Sequence, residues 1–158
     1  MTSTLISQEL ETQYVGGEDL PWVPFTPFTD QVHLKYYKID PVHGEIVASM
    51  RMPAGMTLPI HYHTGIVILY TVSGAWRYID HDWIARGGDA VYETAGSSHA
   101  PEALEDTEIF MILVGELLFL DENGQMIAQE NWKTSAERYR AYCEEHGLEP
   151  AAITSFDG

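Results

Sequence analysis

Three histidines are the residues of this chain whose type and spacing could do chemistry. His61 and His63 are separated by one residue, and His99 follows later in the chain. Side chains two residues apart in a β-strand lie on the same face, so His61 and His63 would project together. One further imidazole from a distant strand completes a set of three neutral nitrogen ligands for a first-row transition metal. The sequence therefore predicts a metal site formed by His61, His63 and His99.

Glycines occur at fixed distances from these histidines. Gly55 and Gly74 flank the closely spaced pair, and Gly88 and Gly96 precede the third histidine. The spacings match two motifs of the cupin superfamily, G-x5-H-x-H-x3-E-x6-G and G-x5-P-x-G-x2-H. The chain therefore resembles the cupins at motif level from residue 55 to residue 99. The resemblance implies that the histidines lie in the mouth of a small β-barrel.

Two positions depart from these motifs. Val67 stands where the first motif has glutamate, and Thr94 stands where the second has proline. An octahedral metal held by three histidines keeps three open positions, enough for a bidentate ligand and dioxygen together. Its uncompensated charge favours the deprotonated form of a chelated β-diketone or α-hydroxyketone. Three histidines also suit zinc, so ligand type leaves Fe(II), zinc and other divalent transition metals open.

Short strands separated by glycine turns predict an all-β sandwich or barrel. Apolar and polar residues alternate over residues 46–52, and residues 108–120 read as one long apolar strand with a bulge at Gly115. The proline-aromatic run at residues 21–28 suits an extended segment laid across a surface. Together with the motifs, this pattern predicts a cupin-type β-barrel, a double-stranded β-helix similar to a jelly roll.

The C-terminal region is the helical exception. Thr134 and Glu137 have capping-box spacing, and Gly147 can end a helix, which predicts a helix over residues 135–146. We expect an N-terminal arm (residues 1–20), the barrel (residues 21–130), and a C-terminal helix and tail (residues 131–158).

Charge and cysteine content restrict the partners and the compartment. The net charge is -16, from 24 acidic and 8 basic side chains, which disfavours nucleic acid and anionic membrane surfaces as partners. The single cysteine, Cys143, can form no intrachain disulfide. No signal peptide or long apolar run is apparent, so we expect a cytoplasmic protein.

Several stretches resemble the 2,4'-dihydroxyacetophenone dioxygenase family within the cupins. They are residues 21–28, 61–65, 74–83 and 91–99. The resemblance implies a non-haem Fe(II) enzyme that cleaves an aryl hydroxymethyl ketone with dioxygen and yields an aromatic acid and formate. It carries the metal ligands onto His61, His63 and His99. Resemblance to the cupins also implies a homodimer or homotetramer.

Residues that could contact a substrate follow from the strand pattern. A strand running without a bulge from His63 turns small, mostly apolar side chains inward, a lining fit for an aromatic ring. These side chains are Val67, Leu69 and Thr71. Three aromatic residues could line the mouth or belong to the core. They are Trp76, Tyr78 and Tyr92.

Two carboxylates are candidates for acid-base work. Glu93 precedes the loop that carries His99, so it is the candidate catalytic residue. Its role could be that of a base, of a hydrogen-bond partner for a histidine, or of a replacement metal ligand, and the sequence does not decide among these. Glu116 lies alone in an apolar stretch and is the second candidate. An ordinary solvated or paired glutamate remains the alternative for both.

The leading hypothesis is an Fe(II)-dependent dioxygenase that cleaves a carbon–carbon bond of a small chelating ketone with O2. The alternative from another class is a non-enzymatic, metal-binding sensory or regulatory cupin, similar to the cupin domains of anti-sigma factors. A sugar isomerase or epimerase ranks last, because it usually needs a more polar pocket and a carboxylate ligand. A cupin with a vacant site is the remaining alternative.

Overall fold

The computed structural model describes residues 12–154. These residues form thirteen β-strands, a short 3-10 helix (Gly17–Asp19) and one α-helix, α1 (Trp132–His146). The strands are β1 (Val23–Pro24), β2 (His33–Asp40), β3 (Glu45–Met52), β4 (His61–His63), β5 (Val67–Ser73), β6 (Ala75–Tyr78), β7 (Ala85–Arg86), β8 (Ala90–Glu93), β9 (Ser98–His99), β10 (Pro101–Ala103), β11 (Thr107–Val114), β12 (Leu117–Leu120) and β13 (Met126–Glu130).

The strands pair antiparallel in three sheets. The largest has the order β1-β2-β3-β11-β5-β8, a second has β13-β12-β4-β9, and a third has β10-β6-β7. Alternation places Ile46, Ala48 and Met50 of β3 on the buried side, where Val67 and Leu69 of β5 are also buried. The prediction of an all-β fold with one C-terminal helix is confirmed.

The long apolar stretch at residues 108–120 is divided between two sheets, so the prediction of one bulged strand is wrong. β11 belongs to the six-stranded sheet and β12 to the four-stranded sheet. Gly115 lies between them with a φ of 84°. A Cβ atom there would lie 2.7 Å from Thr64 Oγ1. The glycine is therefore a corner at which the chain changes sheet.

The proline-aromatic run at residues 21–28 contains the extended strand β1 and lies against the barrel, and it also contributes side chains to the core. Val23 and Phe25 are buried, and the ring of Phe28 stacks on Phe119 with centroids 4.2 Å apart. Val23 pairs with Leu34 of β2, which places this face of the segment against the barrel. Of the predicted N-terminal arm, residues 1–11 lie outside the described part of the chain.

Helix α1 begins at Trp132, three residues before the predicted start. Asn131 is the residue that caps it, because its side chain accepts hydrogen bonds from the backbone N–H groups of Lys133 and Thr134. The backbone N–H of Asn131 in turn donates to Thr134 Oγ1. Thr134 is therefore the third helical residue of the capping box and not the N-cap. Gly147 ends the helix with a φ of 63°, as predicted.

A buried ion pair fastens α1 to the barrel. Arg138 donates two hydrogen bonds of 2.6 Å to the carboxylate of Glu130 on β13. It also donates to the hydroxyl of Tyr36 on β2 and to the backbone carbonyl of Thr26. Within residues 12–154, no helix is both long enough and apolar enough to cross a membrane.

Candidate metal centre

Two neighbouring strands bring the three histidines together. His61 and His63 lie on β4, and His99 lies directly opposite His61 on β9. All three side chains are buried, and their candidate ligand atoms lie within 4.8 Å of one another. The barrel therefore gathers the three residues that the motif spacing singled out.

Local hydrogen bonds orient these rings. His61 Nδ1 lies 2.9 Å from the carbonyl oxygen of Pro59, so Nδ1–H donates to that carbonyl and leaves Nε2 with its lone pair. The Nε2 atoms of His63 and His99 lie 2.9 Å apart. The Nδ1 atom of His63 is buried without a hydrogen-bond partner among the described residues. The three rings thus converge through nitrogen atoms rather than through carbon edges.

Burial keeps the imidazole rings of His61 and His63 in the neutral form, which is the form that binds metal. Desolvation lowers the pKa of His61 to about 4, despite the hydrogen bond to Pro59, which acts in the opposite direction. Desolvation also lowers the pKa of His63 to about 3, with smaller contributions from His61 and His99. The candidate ligand atoms of all three histidines are close enough together to bind one shared cation. The donor set therefore fits a divalent transition metal.

Glu93 is the carboxylate that reaches the histidines. One of its oxygens lies 3.3 Å from His63 Nε2, and the other lies 3.3 Å from His99 Nε2. Glu93 is buried, and desolvation raises its pKa, partly offset by the hydrogen bond and charge of His99. In the pairing of β5 with β8 it lies directly opposite Val67. The neighbouring strand thus brings a carboxylate close to the histidines although position 67 carries valine.

Glu116, the second carboxylate candidate, lies away from the histidines. Its Oε1 accepts a hydrogen bond of 3.0 Å from the side-chain amide of Asn131, at the start of α1. Its backbone N–H is bonded to Thr64 Oγ1. Glu116 thus supports the helix cap and the chain corner, and the structure excludes it from the candidate site.

An apolar cavity of about 80 Å³ lies on the inner side of the histidines. Val67 and Leu69 line it as predicted, together with Trp76 and Phe119. Thr71 is also inward and buried, but its hydroxyl accepts a hydrogen bond of 2.9 Å from Trp76 Nε1. Thr71 therefore positions an aromatic wall rather than lining the cavity.

A wider cleft of about 570 Å³ lies on the outer side. His81, Trp83 and Tyr92 line it, and Tyr78 and Glu93 line both the cleft and the inner cavity. Tyr92 is 61% exposed, so it belongs to the rim and not to the core. Sequence analysis missed Trp83 as a lining residue, because its irregular segment carries no periodic signal.

The remaining histidines lie outside the metal cluster. His33 Nδ1 lies 3.2 Å from the carbonyl of Gln31. His43 contacts Asp40, and His146 contacts the carbonyl of Tyr142. His81 contacts Asp80, its neighbour in the chain.

Comparison with known proteins assigns the family. A family model described as the ChrR cupin-like domain matches residues 10–118, more than half of the chain. The chain belongs to this cupin family. The prediction of a cupin is confirmed.

Individual relatives agree with this assignment. The structure of an RmlC-like cupin protein from Ralstonia eutropha superposes with a TM-score of 0.90 at 49% identity, covering 94% of this chain and 97% of that one. An acetylacetone-cleaving enzyme from Acinetobacter johnsonii is 26% identical over 129 residues, 76% of this chain and 83% of its own. An acetylacetone dioxygenase structure from Acinetobacter johnsonii superposes with a TM-score of 0.74 at 21% identity, covering 85% of this chain and 93% of that one.

Proposed function

We propose that this cupin is a non-haem Fe(II)-dependent dioxygenase that cleaves a carbon–carbon bond of a small chelating ketone. The observation that carries the proposal is the convergence of three buried histidines beside Glu93 at a largely apolar cavity. The relative named as an acetylacetone-cleaving enzyme supports the same class of substrate. An aryl hydroxymethyl ketone and a β-diketone are the two substrate types that we consider.

His61, His63 and His99 are the residues that would hold the metal. A divalent iron bound there would supply the redox chemistry that allows the ketone to react with O2. Zinc and other divalent transition metals suit the same ligands, so the choice of iron is part of the proposal.

Glu93 is the proposed base. A chelating ketone carries an acidic proton, on the carbon between two carbonyls or next to one carbonyl. Burial raises the pKa of Glu93 and therefore increases its affinity for a proton. Its contacts with two of the histidines support this role, because a ketone held by a metal on those histidines would lie next to the carboxylate. Glu93 would accept the proton and leave the ketone as its enolate.

The apolar walls orient the rest of the substrate. Val67, Leu69, Trp76 and Phe119 offer no charged group, so a methyl or aryl substituent fits this side better than a sugar would. The same walls exclude water from the enolate. With a hydroxymethyl ketone, the balanced reaction takes up one O2 and yields a carboxylic acid and formic acid. With acetylacetone it yields acetic acid and a three-carbon oxoaldehyde.

Oxygen uptake tests this proposal. Protein loaded with Fe(II) is mixed with acetylacetone or with 2-hydroxyacetophenone in an oxygen electrode, and products are identified by chromatography. We expect one O2 consumed per ketone cleaved with at least one of the two substrates. Absence of uptake with both, in protein that holds one iron per chain, would overturn the dioxygenase proposal.

A sensory or regulatory metal-binding cupin is the second candidate. The family model that matches this chain is named after the cupin-like domain of ChrR, which is the observation in its favour. This candidate predicts that the purified protein retains zinc in preference to iron and turns over no ketone with either metal.

Self-association is also proposed. On the outer face of the large sheet, two neighbouring cross-strand rows contain no charged residue across β8, β5, β11 and β3, and each row reaches a lysine, Lys38 or Lys35, only on β2. The rows are Tyr92-Ile68-Ile112-Val47 and Ala90-Tyr70-Phe110-Ser49. Ile68 and Tyr70 are exposed there. Two copies of a chain with net charge -16 can approach through this face with the least repulsion, so we propose that it forms the contact of a homodimer, or of one interface in a homotetramer. A cytoplasmic location remains a prediction from the sequence.

A further inference from the structure

Tyr78 carries a buried hydroxyl that the fold does not use. The residue lies on β6 and is 3% exposed. Its hydroxyl has no hydrogen-bond partner among the described residues. Burying a hydroxyl without a partner is unfavourable, because its hydrogen bonds to water are lost and not replaced. Such a group in a native core needs an explanation, and a ligand bound during function is one.

The ring of Tyr78 lies against one of the three histidines of the metal centre. The ring of Tyr78 stacks on the ring of His99, with centroids 3.9 Å apart and an interplanar angle of 12°. Tyr78 and Glu93 line both the inner cavity and the outer cleft, so they stand where a molecule from the cleft reaches the histidines. A ligand at the metal centre would therefore lie beside this phenol.

Neighbouring aromatic rings hold the phenol in place. Trp76 packs against the Tyr78 ring edge to face with ring centroids 5.2 Å apart, and Trp83 packs in the same way with ring centroids 5.1 Å apart. The ring of His81 lies on the cleft side of the Tyr78 ring, with ring centroids 5.5 Å apart. A donor held rigidly in this way loses little entropy when it binds a ligand, which is the condition for effective electrostatic stabilisation.

Other donors along the cavity wall are already engaged. Trp76 Nε1 donates to Thr71, and the hydroxyl of Ser135 donates to Glu130. Glu93, as the base, accepts protons and hydrogen bonds until it is protonated. The enolate of a chelating ketone carries negative charge on oxygen and needs a donor. Among the described residues, the buried side-chain polar atoms without a partner are His63 Nδ1 and the Tyr78 hydroxyl, and of these two residues only Tyr78 lies outside the proposed ligand set.

We propose that the Tyr78 hydroxyl donates a hydrogen bond to an oxygen of the bound ketone and thereby stabilises its enolate form. The inference rests on the proposed function, because it takes the ketone as the ligand. It assigns Tyr78 as a binding residue that is separate from the histidines and from the base.

Ligand binding without turnover tests this inference. Tyr78→Phe keeps the stacked ring and removes only the hydroxyl. Protein loaded with Co(II) is titrated with acetylacetone in the absence of O2, and the dissociation constant is read from the cobalt absorption spectrum. We expect Tyr78→Phe to bind acetylacetone roughly tenfold more weakly, with unchanged cobalt content. The matched control, Tyr142→Phe, removes a hydroxyl from helix α1, away from the inner cavity and the outer cleft, and should leave the dissociation constant unchanged.

A second measurement separates a ligand-binding role from a purely structural one. Removal of an unpartnered hydroxyl should raise or preserve the thermal midpoint of the ligand-free protein, so weaker binding cannot come from damage to the fold. A dissociation constant within twofold of wild type would overturn the inference, and so would a wild-type protein that binds no chelating ketone. Binding that depends on Tyr78 without any O2 uptake would leave the inference standing and overturn the dioxygenase proposal.

Discussion

At the scale of single residues, the site combines histidines from two motifs with a carboxylate from strand β8. The spacing of His61 and His63 was sufficient to predict that they share a face, because strand alternation is local. The choice between Glu93 and Glu116 could not be made in this way. It depends on which strand lies beside β5, and the pairing of Val67 with Glu93 is a non-local fact.

The role of Glu93 is tested by Glu93→Gln, which keeps the size of the side chain and removes its basicity. We expect one metal per chain and a kcat lower by about 10²–10⁴-fold, the range for loss of a general base. Elemental analysis and oxygen uptake measure the two quantities. Glu116→Gln is the matched control and should leave both unchanged. Loss of the metal from Glu93→Gln would show that Glu93 is a ligand.

The ligand assignment is tested by His63→Ala. Removal of one of three imidazoles should reduce metal content after dialysis to a small fraction of one per chain, while the circular dichroism spectrum remains that of a β-barrel. His43→Ala, which changes a histidine at an exposed turn, is the control and should retain the metal. Full metal occupancy in His63→Ala would refute the assignment.

At the scale of elements, turns and caps decide how the strands are divided between sheets. The apolar run at residues 108–120 has strand character throughout, so local propensity gives no reason to interrupt it. The interruption comes from the close approach of residues 64 and 65 to Gly115, which is a tertiary contact. The start of α1 is similar, since Asn131 and Thr134 both suit an N-cap and the structure selects Asn131.

The contact between α1 and the barrel depends on Arg138. Its side chain and that of Glu130 are 7% and 4% exposed, so Arg138→Ala would leave a buried carboxylate unpaired. We expect a loss of about 3–5 kcal/mol in the free energy of unfolding, measured by urea denaturation. Arg140→Ala, two residues away on the exposed side of the helix, is the control and should cost less than about 0.5 kcal/mol. A loss below about 1 kcal/mol in Arg138→Ala would contradict the importance of this ion pair.

At the scale of the whole molecule, the net charge opposes association between copies of the chain, and the apolar surface favours it. The net charge of -16 keeps copies apart, while the two uncharged rows on the large sheet favour association. Composition alone indicated the repulsion. The uncharged rows emerge only when β8, β5, β11 and β3 are placed side by side.

Sedimentation tests the proposed contact between copies. We expect the wild-type protein to sediment with at least twice the mass of one chain, more completely at high salt because screening weakens the repulsion. Tyr70→Glu places a charge at the centre of the patch and should produce monomers. Val42→Glu, at an exposed turn, should leave the assembly intact. A wild-type protein that sediments as a monomer at all salt concentrations would contradict the proposal.

The central claim is that three histidines hold one divalent metal and leave positions free for a chelating ketone. Its most direct test is an anomalous difference map at the iron edge, from crystals loaded with Fe(II) and soaked with acetylacetone without O2. The account predicts a single peak bonded to the Nε2 atoms of His61, His63 and His99, with both ketone oxygens on the same ion and Glu93 unbound to it. A peak elsewhere, no peak, or a carboxylate of Glu93 occupying the ketone's place would contradict it.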